Sequence, residues 1–234
     1  MLKNGFYNMD CMRGMRDFPD NYFGLAIVDP PYGIGVMTMN YTTSGNIRTR
    51  GNAAADRRDY RKQSEWDIKP TKEYFDELMR VSRRQVIWGG NYFSDMLEPS
   101  KSFIVWDKRC IDSMSNDFAD CEYAWLSPGM GVARIFRYVW NGMLQGNMRD
   151  KEERFHPTQK PVALYEWIIS KYAEPGEIIL DTHVGSASSL VACHRQHHDF
   201  VGFEIDAEYY EKGKARLDAE LAQFTIFDYI GMEV

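Results

Sequence analysis

The chain has 234 residues, a formal net charge of −6 and a charged fraction of 26%. These values describe a globular protein and exclude a collagen, a disordered tail and a low-complexity repeat. No apolar run approaches the roughly 18 residues that a membrane helix needs, and the first residues lack the apolar stretch of a signal peptide.

Short apolar runs that end at polar residues predict the strands of a sheet. In chain order these runs are 25–28, 86–88, 103–106, 178–180 and 200–203. Helices are predicted from about Thr71 to Val81, from Val162 to Tyr172, through His194 and after Asp206. The alternation indicates one α/β domain over residues 1–234, with a doubly wound, mostly parallel, Rossmann-like sheet and an antiparallel edge.

The tetrapeptide Asp29-Pro30-Pro31-Tyr32 directly follows the first of these apolar runs. The two prolines stop the strand and remove two backbone donors, which leaves the Asp29 carboxylate and nearby carbonyls as acceptors. Tyr32 adds an aromatic face. This combination suits an –NH₂ group on a flat ring, because the acceptors take its hydrogens while the tyrosine stacks on the ring.

A second motif begins at Asp181, where a small-residue turn, 185–189, leads from one strand to a helix. The next strand ends at Glu204, 23 positions after Asp181. An acidic residue roughly 20 positions on is typical of ribose binding in a βαβ unit. Neither glycine-rich phosphate signature occurs at a strand end, so the unit favours a nucleoside ligand without phosphates.

Together these two motifs resemble the S-adenosylmethionine-dependent amino-methyltransferases of DNA. The Asp29 motif precedes the Asp181 turn, and His156-Pro157-Thr158-Gln159-Lys160-Pro161 lies just before the strand that leads to it. That order resembles the circularly permuted β class, and in particular the small adenine-N6 enzymes of phages, prophages and restriction-modification systems. The resemblance covers almost the whole chain and implies a methyltransferase fold, S-adenosylmethionine as cofactor and double-stranded DNA as substrate.

The resemblance also implies roles for matching positions. Asp10 corresponds to the aspartate that binds the adenine amine of the cofactor, and Glu204 to the residue that binds the ribose. Lys160 corresponds to a motif near the methionine end. The implied catalytic positions are Asp29, Pro30, Pro31 and Tyr32. The remaining implied cofactor positions are Cys11, Asp29, His156, Thr158, Asp181, His183, Gly185, Ser186, Ser188, Phe203 and Ile205.

The cofactor loop departs from the family pattern at two positions. The family usually has Asp-Pro-Phe-x-Gly-Ser-Gly, whereas this chain has His183 in place of the aromatic residue and Ala187 in place of a glycine. If the backbone at position 187 has a positive φ, the Cβ of Ala187 is expected to narrow the cofactor site.

Two long segments interrupt the alternation of strands and helices, and both are basic. Residues 36–66 predict a mobile basic loop that contacts phosphates, and the stretch 48–62 carries a net charge of +4. Residues 127–155 predict an inserted target-recognition segment, and the stretch 134–160 carries +3. The DNA-binding candidates are Arg48, Arg50, Arg57, Arg58, Arg61, Arg137, Trp140, Asn141 and Gln145. Solvated loops are the alternative interpretation.

Neither the cysteines nor the histidines predict a metal site. The cysteines are scattered without metal-ligand spacing, as expected for reduced thiols in a cytoplasmic protein: Cys11, Cys110, Cys121 and Cys193. His194, His197 and His198 cluster at a helix end, where zinc would lack a fourth ligand, so a solvated helix terminus is favoured.

The sequence leaves several functions open. Adenine-N6 transfer is favoured over cytosine-N4 transfer only by family resemblance, because both bases present an exocyclic amine. An RNA substrate is also compatible with the motifs, and so is a catalytically inactive protein that binds DNA or a nucleoside. A homodimer is left open, as are the recognition sequence and a restriction partner.

Overall fold

The protein is described by a computed structural model at residues 1–34, 68–109, 119–141 and 144–223. The predicted basic loop, 36–66, lies outside these residues, with its candidates Arg48, Arg50, Arg57, Arg58 and Arg61. Cys110 lies outside them too.

Within the described residues, eight strands form one mixed sheet in the order β1-β10-β9-β2-β3-β5-β4-β6. Their bounds are β1 (Gly5–Asn8), β2 (Leu25–Val28), β3 (Gln85–Trp88), β4 (Phe103–Asp107), β5 (Cys121–Leu126), β6 (Arg134–Arg137), β9 (Ile179–Asp181) and β10 (Phe200–Glu204). A separate hairpin pairs β7 (Trp140–Asn141) with β8 (Leu144–Gln145). Strands β1, β10, β9, β2 and β3 are parallel. Strand β5 is antiparallel to both its neighbours and lies two places inside edge strand β6.

The helices cover both faces of this sheet, which confirms the predicted doubly wound architecture. Their bounds are α1 (Cys11–Met15), α2 (Lys72–Val81), α3 (Val162–Tyr172), α4 (Ser188–Arg195) and α5 (Ala207–Leu221). Alternate residues of β2 point to opposite sides: Ile27 packs with α3 and α4, and Val28 packs with α1 and α2. None of the helices in the described part of the chain is long and apolar enough to cross a membrane.

The carboxyl ends of four neighbouring parallel strands carry acidic residues. Asp10 follows β1, Glu204 ends β10, Asp181 ends β9 and Asp29 follows β2. Since adjacent strands lie about 4.8 Å apart, these carboxylates form a row along the carboxyl ends of the strands. In open α/β sheets, ligands bind just beyond the carboxyl ends of the strands.

Candidate active site

The Asp29 carboxylate accepts hydrogen bonds from two side chains, one on each oxygen. Its Oδ1 accepts the Tyr32 hydroxyl at 2.7 Å, and its Oδ2 accepts the ammonium of Lys160 at 2.5 Å. Pro30 is buried and Pro31 is half-buried, so the chain leaves β2 along a fixed path. The predicted target-base motif therefore does form a polar cluster at the strand end.

Lys160 connects Asp29 to a second carboxylate. Its Nζ lies 3.2 Å from Glu122 Oε2, and Glu122 also accepts Lys108 at 3.1 Å. The Lys160 side chain is only 3% exposed, with its ammonium 5.2 Å from the centre of the Trp88 ring. The implied role of Lys160 at the methionine end stays a prediction, because here its ammonium is bound to the two carboxylates.

Burial and charge act in opposite directions on this cluster. Burial would lower the pKa of Lys160, but Asp29 and Glu122 outweigh it and raise that pKa above its ordinary value. Burial would likewise raise the pKa of Glu122, but Lys160 and Lys108 hold it below its ordinary value. Lys160 and Glu122 are therefore both charged at neutral pH, because each one stabilises the charge of the other.

The Tyr32 ring is held in place by two aromatic neighbours. Tyr92 stacks on it with ring centres 4.9 Å apart and planes at 21°, and Phe93 meets it edge-on at 6.1 Å. Both come from the 3₁₀ turn Gly90–Phe93 that follows β3. Burial and the charge of Asp29 raise the pKa of Tyr32 well above its ordinary value, so its hydroxyl stays a donor.

The turn after β9 is built around Asp181. Its carboxylate accepts the hydroxyl of Ser189 at 2.5 Å and the backbone N–H of His183 at 3.0 Å. Burial raises the pKa of Asp181 to about 7. Thr182 is hydrogen-bonded to both the His183 ring, at 2.9 Å, and Tyr74 of α2, at 2.6 Å. Burial lowers the pKa of His183 to about 4, so this imidazole is neutral at pH 7.

Glu204 and His156 hold the glycine of this turn. Glu204 accepts the N–H of Gly185 at 2.8 Å through one oxygen and that of Asp206 at 2.8 Å through the other. Gly185 has φ +56°, and a Cβ there would lie 3.3 Å from the His156 ring. His156 is hydrogen-bonded to Thr158 at 3.2 Å, and burial followed by the charge of Lys160 lowers its pKa to about 4. The structure thus brings His156 of the predicted motif next to the cofactor loop, whereas Lys160 of the same motif lies at Asp29.

Ala187 does have the positive φ on which its predicted effect depends. Its φ is +60°, and the residue is fully buried. Its methyl group faces α5, where a Cβ built on Gly213 would lie 3.5 Å from it. The narrowing of the cofactor site by this Cβ stays a prediction, and the contact with α5 argues against it.

An arginine that the sequence analysis missed anchors the same loop from α5. Arg216 donates to the Ser186 carbonyl and the Ser188 hydroxyl, both at 2.9 Å, and to Glu152 at 2.6 Å. The second Glu152 oxygen accepts the N–H of Val162, the first residue of α3. The inserted segment 127–155 is thereby tied to the cofactor loop.

Several predicted site residues are buried and make their contacts within the protein. Phe203 is fully buried, and its ring packs against Gly14 of α1, while its assignment to cofactor binding stays a prediction. Trp140 is 6% exposed and donates to the Gln159 carbonyl at 2.8 Å. Gln145 is 7% exposed, and its amide binds the backbone N–H and carbonyl of Glu152. Both side chains make hydrogen bonds within the protein, and their assignment to base edges stays a prediction.

The remaining candidates lie at the surface or at the strand ends. Asp10 is exposed and caps α1 by accepting the N–H of Arg13 at 2.9 Å. Cys11 begins α1, and burial raises the pKa of its thiol to about 12. Ile205 is 63% exposed beside Glu204, and Arg137 is 78% exposed on β6. The side chain of Asn141 lies outside the described residues. Among the described residues, no group of three or more His, Cys, Asp or Glu could hold a metal ion.

A family model described as DNA methylase, N6_N4_Mtase, matches residues 105–215. This stretch includes Glu122, the 156–161 motif and the Asp181 turn, and it ends just before Arg216. The match confirms the resemblance to the DNA amino-methyltransferases. The permuted and phage-like details of that resemblance stay predictions.

Individual relatives agree with this family. YubD of Escherichia coli (strain K12) is 25% identical over 224 residues, 92% of this chain and 90% of YubD. The DNA adenine methyltransferase YhdJ of the same organism is 39% identical over 80 residues, 34% of this chain. The type II methyltransferase M.HpaI of Haemophilus parainfluenzae is 40% identical over 79 residues, also 34% of this chain. The chain spans about a quarter of the length of the last two, 27% of YhdJ and 25% of M.HpaI.

Among solved structures, the M1.HpyAVI–SAM complex is similar to this chain. Its TM-score is 0.53 at 21% identity, over 91% of this chain and 98% of that one. At this identity the likeness concerns the fold, and it confirms the expected Rossmann-like methyltransferase fold.

Proposed function

We propose that this protein, which has the fold of the DNA amino-methyltransferases and matches their family model over residues 105–215, methylates the N6 amine of adenine in double-stranded DNA. One observation carries the proposal. The acceptor cluster at Asp29 follows β2, and β2 pairs with β9, which ends at Asp181 in the cofactor turn. The target-base site at Asp29 and the cofactor turn at Asp181 are therefore neighbours at the carboxyl ends of two paired strands.

The residues of the turn fit S-adenosylmethionine as the methyl donor. Asp10 and Glu204 lie at the ends of paired strands, because Asn8 is in register with Glu204, and both offer carboxylates to a nucleoside. Gly185 leaves room beside His156 that a Cβ would restrict. When bound, this cofactor supplies an electrophilic methyl group on a positively charged sulfonium. The proposed cofactor residues are those that the family resemblance implies, including the buried Phe203.

On the target side, this chain's residues hold and polarise the amine. The adenine N6 lone pair is delocalised into the ring, so the amine needs placement and acceptors more than a strong base. Asp29 and the Pro30 carbonyl accept its two hydrogens, which favours the positive charge that develops on nitrogen. N6 would take the methyl directly as the carbon–sulfur bond of the donor breaks and its electrons stay on sulfur, and Asp29 is placed to receive the proton that N6 then loses. No cysteine follows a proline in this sequence, so a covalent enzyme–base adduct is not expected.

The target base has to leave the duplex before it can meet Asp29. Flipping costs a few kcal/mol. Stacking on an aromatic side chain such as Tyr32 returns about 1–3 kcal/mol. Arg137, which is exposed on β6, is proposed to contact phosphates together with the arginines of the 36–66 segment. Replacing Arg57, Arg58 and Arg61 should flatten the salt dependence of DNA binding, and an unchanged slope would reject their part.

The Asp29→Ala variant tests the proposed activity. We expect it to lose methyl transfer to DNA by roughly 10²–10³-fold, as when an electrostatic acceptor is removed. Asp218→Ala is the matched control, because Asp218 forms a surface ion pair with Lys214 on α5. Asp29→Ala activity close to that of wild type would show that this site does not perform the reaction.

Nucleoside analysis of the treated DNA distinguishes the remaining candidates. N6-methyladenine is the expected product, and the DNA adenine methyltransferase YhdJ among the relatives favours it. N4-methylcytosine would move the protein to the sibling activity that the family model also includes. Absence of both products, with no heat on titration with S-adenosylmethionine, would indicate a non-enzymatic relative.

Methylation of DNA implies that the protein is located in the cytoplasm, and a homodimer stays a prediction.

A further inference from the structure

We propose that Lys160 is a movable counter-ion of Asp29, and that Glu122 is the positioning residue that takes Lys160 when the target amine arrives. The inference rests on the proposed function, because it concerns how Asp29 becomes available as an acceptor. It assigns a role to a carboxylate and to an ion pair that the family resemblance did not provide. The sequence motif had placed Lys160 at the cofactor and gave no role to Glu122.

The starting observation is that each oxygen of the Asp29 carboxylate already accepts a hydrogen bond from another residue. Oδ1 accepts the Tyr32 hydroxyl and Oδ2 accepts the Lys160 ammonium. An amine is a neutral donor, whereas an ammonium is a charged one, and charge-assisted hydrogen bonds are about twice as strong. An incoming amine would therefore compete poorly for Oδ2 unless Lys160 had another place to go.

Glu122 offers that place without a large movement. Its Oε2 already lies 3.2 Å from the same ammonium, so a shift of roughly 1 Å away from Asp29 would leave Lys160 paired with Glu122 alone. A buried ammonium without a partner would be strongly destabilising, which excludes simple release. The transfer exchanges one carboxylate partner for another and keeps the lysine paired.

The other end of Glu122 explains why Lys160 is shared between two carboxylates. Lys108 lies 3.1 Å from Glu122 Oε1 and partly satisfies its charge. The cluster thus holds two carboxylates and two ammonium groups, with Lys160 between the carboxylates. The raised pKa of Lys160 and the lowered pKa of Glu122 agree with a chain of mutually dependent charges.

Glu122→Gln separates this role from a structural one. The amide cannot balance the ammonium, so Lys160 should settle on Asp29, and we expect kcat to fall by roughly tenfold or more with little change in KM for S-adenosylmethionine. Adding Lys160→Met to Glu122→Gln removes the blocking ammonium. The double variant should therefore regain activity and exceed Glu122→Gln in kcat.

Two results would overturn the inference. One is a kcat of Glu122→Gln within about twofold of wild type. The other is a double variant that is no faster than Glu122→Gln, because then Lys160 would not be what blocks the site. Glu220→Gln is the matched control, since this carboxylate forms an ion pair with Arg195 in the packing of α4 against α5 and does not touch the site. Calorimetric affinity for S-adenosylmethionine checks that each variant still binds the cofactor.

Failure of the proposed function can be told apart from failure of this inference. If wild-type protein methylates no DNA, the proposed function fails, and the ion sharing is then judged on the ligand-free protein by thermal unfolding. Glu122→Gln and Lys160→Met should each lower the melting temperature, and the double variant should lose less than the two losses combined. Additive losses would show that Lys160 and Glu122 do not depend on each other.

Discussion

The Tyr32 ring lies so close to Gly89 that a Cβ built on this glycine would fall 2.2 Å from the Tyr32 Cε1. Gly89 also has φ +66°, which glycine adopts more readily than any other residue. It follows β3, next to the strand that carries Asp29. The absence of a side chain at Gly89 therefore allows the Tyr32 ring to occupy its position in the target-base site.

Gly89→Ala should move Tyr32 out of its place. We expect kcat/KM for DNA to fall by roughly tenfold or more, while affinity for S-adenosylmethionine stays near wild type. Gly176→Ala is the control for backbone strain, because Gly176 has φ +80° and a Cβ there meets nothing within 4 Å. Steady-state kinetics of both variants make the comparison, and equal losses would mean that strain, rather than the Tyr32 contact, is responsible.

Ala187→Gly should leave cofactor affinity nearly unchanged. The substitution relieves a positive φ, which costs a non-glycine residue about 1–2 kcal/mol, but it also removes a fully buried methyl group worth about 0.8 kcal/mol. We expect the free energy of unfolding to change by no more than about 1 kcal/mol, and Kd for S-adenosylmethionine to change by no more than about twofold. Urea unfolding and calorimetry measure these two quantities. Much tighter binding by the glycine variant would put the methyl in the cofactor site after all.

The parts of the site that sequence reasoning identified are local in the chain. Asp29, Asp181 and Glu204 each end or follow an apolar strand, so a short window shows both the strand and its polar stop. Parallel pairing then brings the strand ends together. The family resemblance added the link between these ends and the 156–161 motif.

The contacts that the sequence did not predict join residues that are distant in the chain. Asp29 and Lys160 are 131 positions apart, and Glu152 and Arg216 are 64 apart. A single sequence does not pair such charges. Glu122 left one usable signal, a carboxylate within the otherwise apolar strand Cys121–Leu126. The internal contacts of Trp140 and Gln145 were also not predictable, because their partners are backbone groups of Gln159 and Glu152 that only the folded chain brings close.

Arg216→Gln should loosen the cofactor loop. Arg216 makes charge-assisted hydrogen bonds to two atoms of the loop and to Glu152, and such bonds contribute about 1.5–3 kcal/mol each. We expect weaker binding of S-adenosylmethionine, by about tenfold, and a free energy of unfolding lower by about 2 kcal/mol.

Arg195→Gln provides the matched control for that variant. Arg195 also pairs with two carboxylates, Glu166 and Glu220, but its side chain is 44% exposed. Exposed pairs contribute about 0–1 kcal/mol, so this variant should keep cofactor affinity. Calorimetry on both proteins decides, and equal effects would argue against a specific hold on the loop.

The buried carboxyl of Asp181 should make stability depend on pH in a defined direction. Its pKa in the folded protein is about 7, above its ordinary value of 3.8, so the folded state holds the proton more tightly. The stabilising contribution is therefore fully present below about pH 4 and is lost as the pH rises toward 7. His156 and His183 have the opposite effect on the pH dependence of stability, because their pKa values are lowered to about 4. Their stabilising contribution is lost as the pH falls from about 6.5 toward 4.

The Asp181→Asn variant isolates the effect of the carboxyl, because both histidines remain in it. Urea unfolding between pH 5 and 8 should show wild type losing stability relative to Asp181→Asn up to about pH 7 and no further above it. A difference that stays constant across this range would mean that Asp181 is ionised throughout in the folded protein.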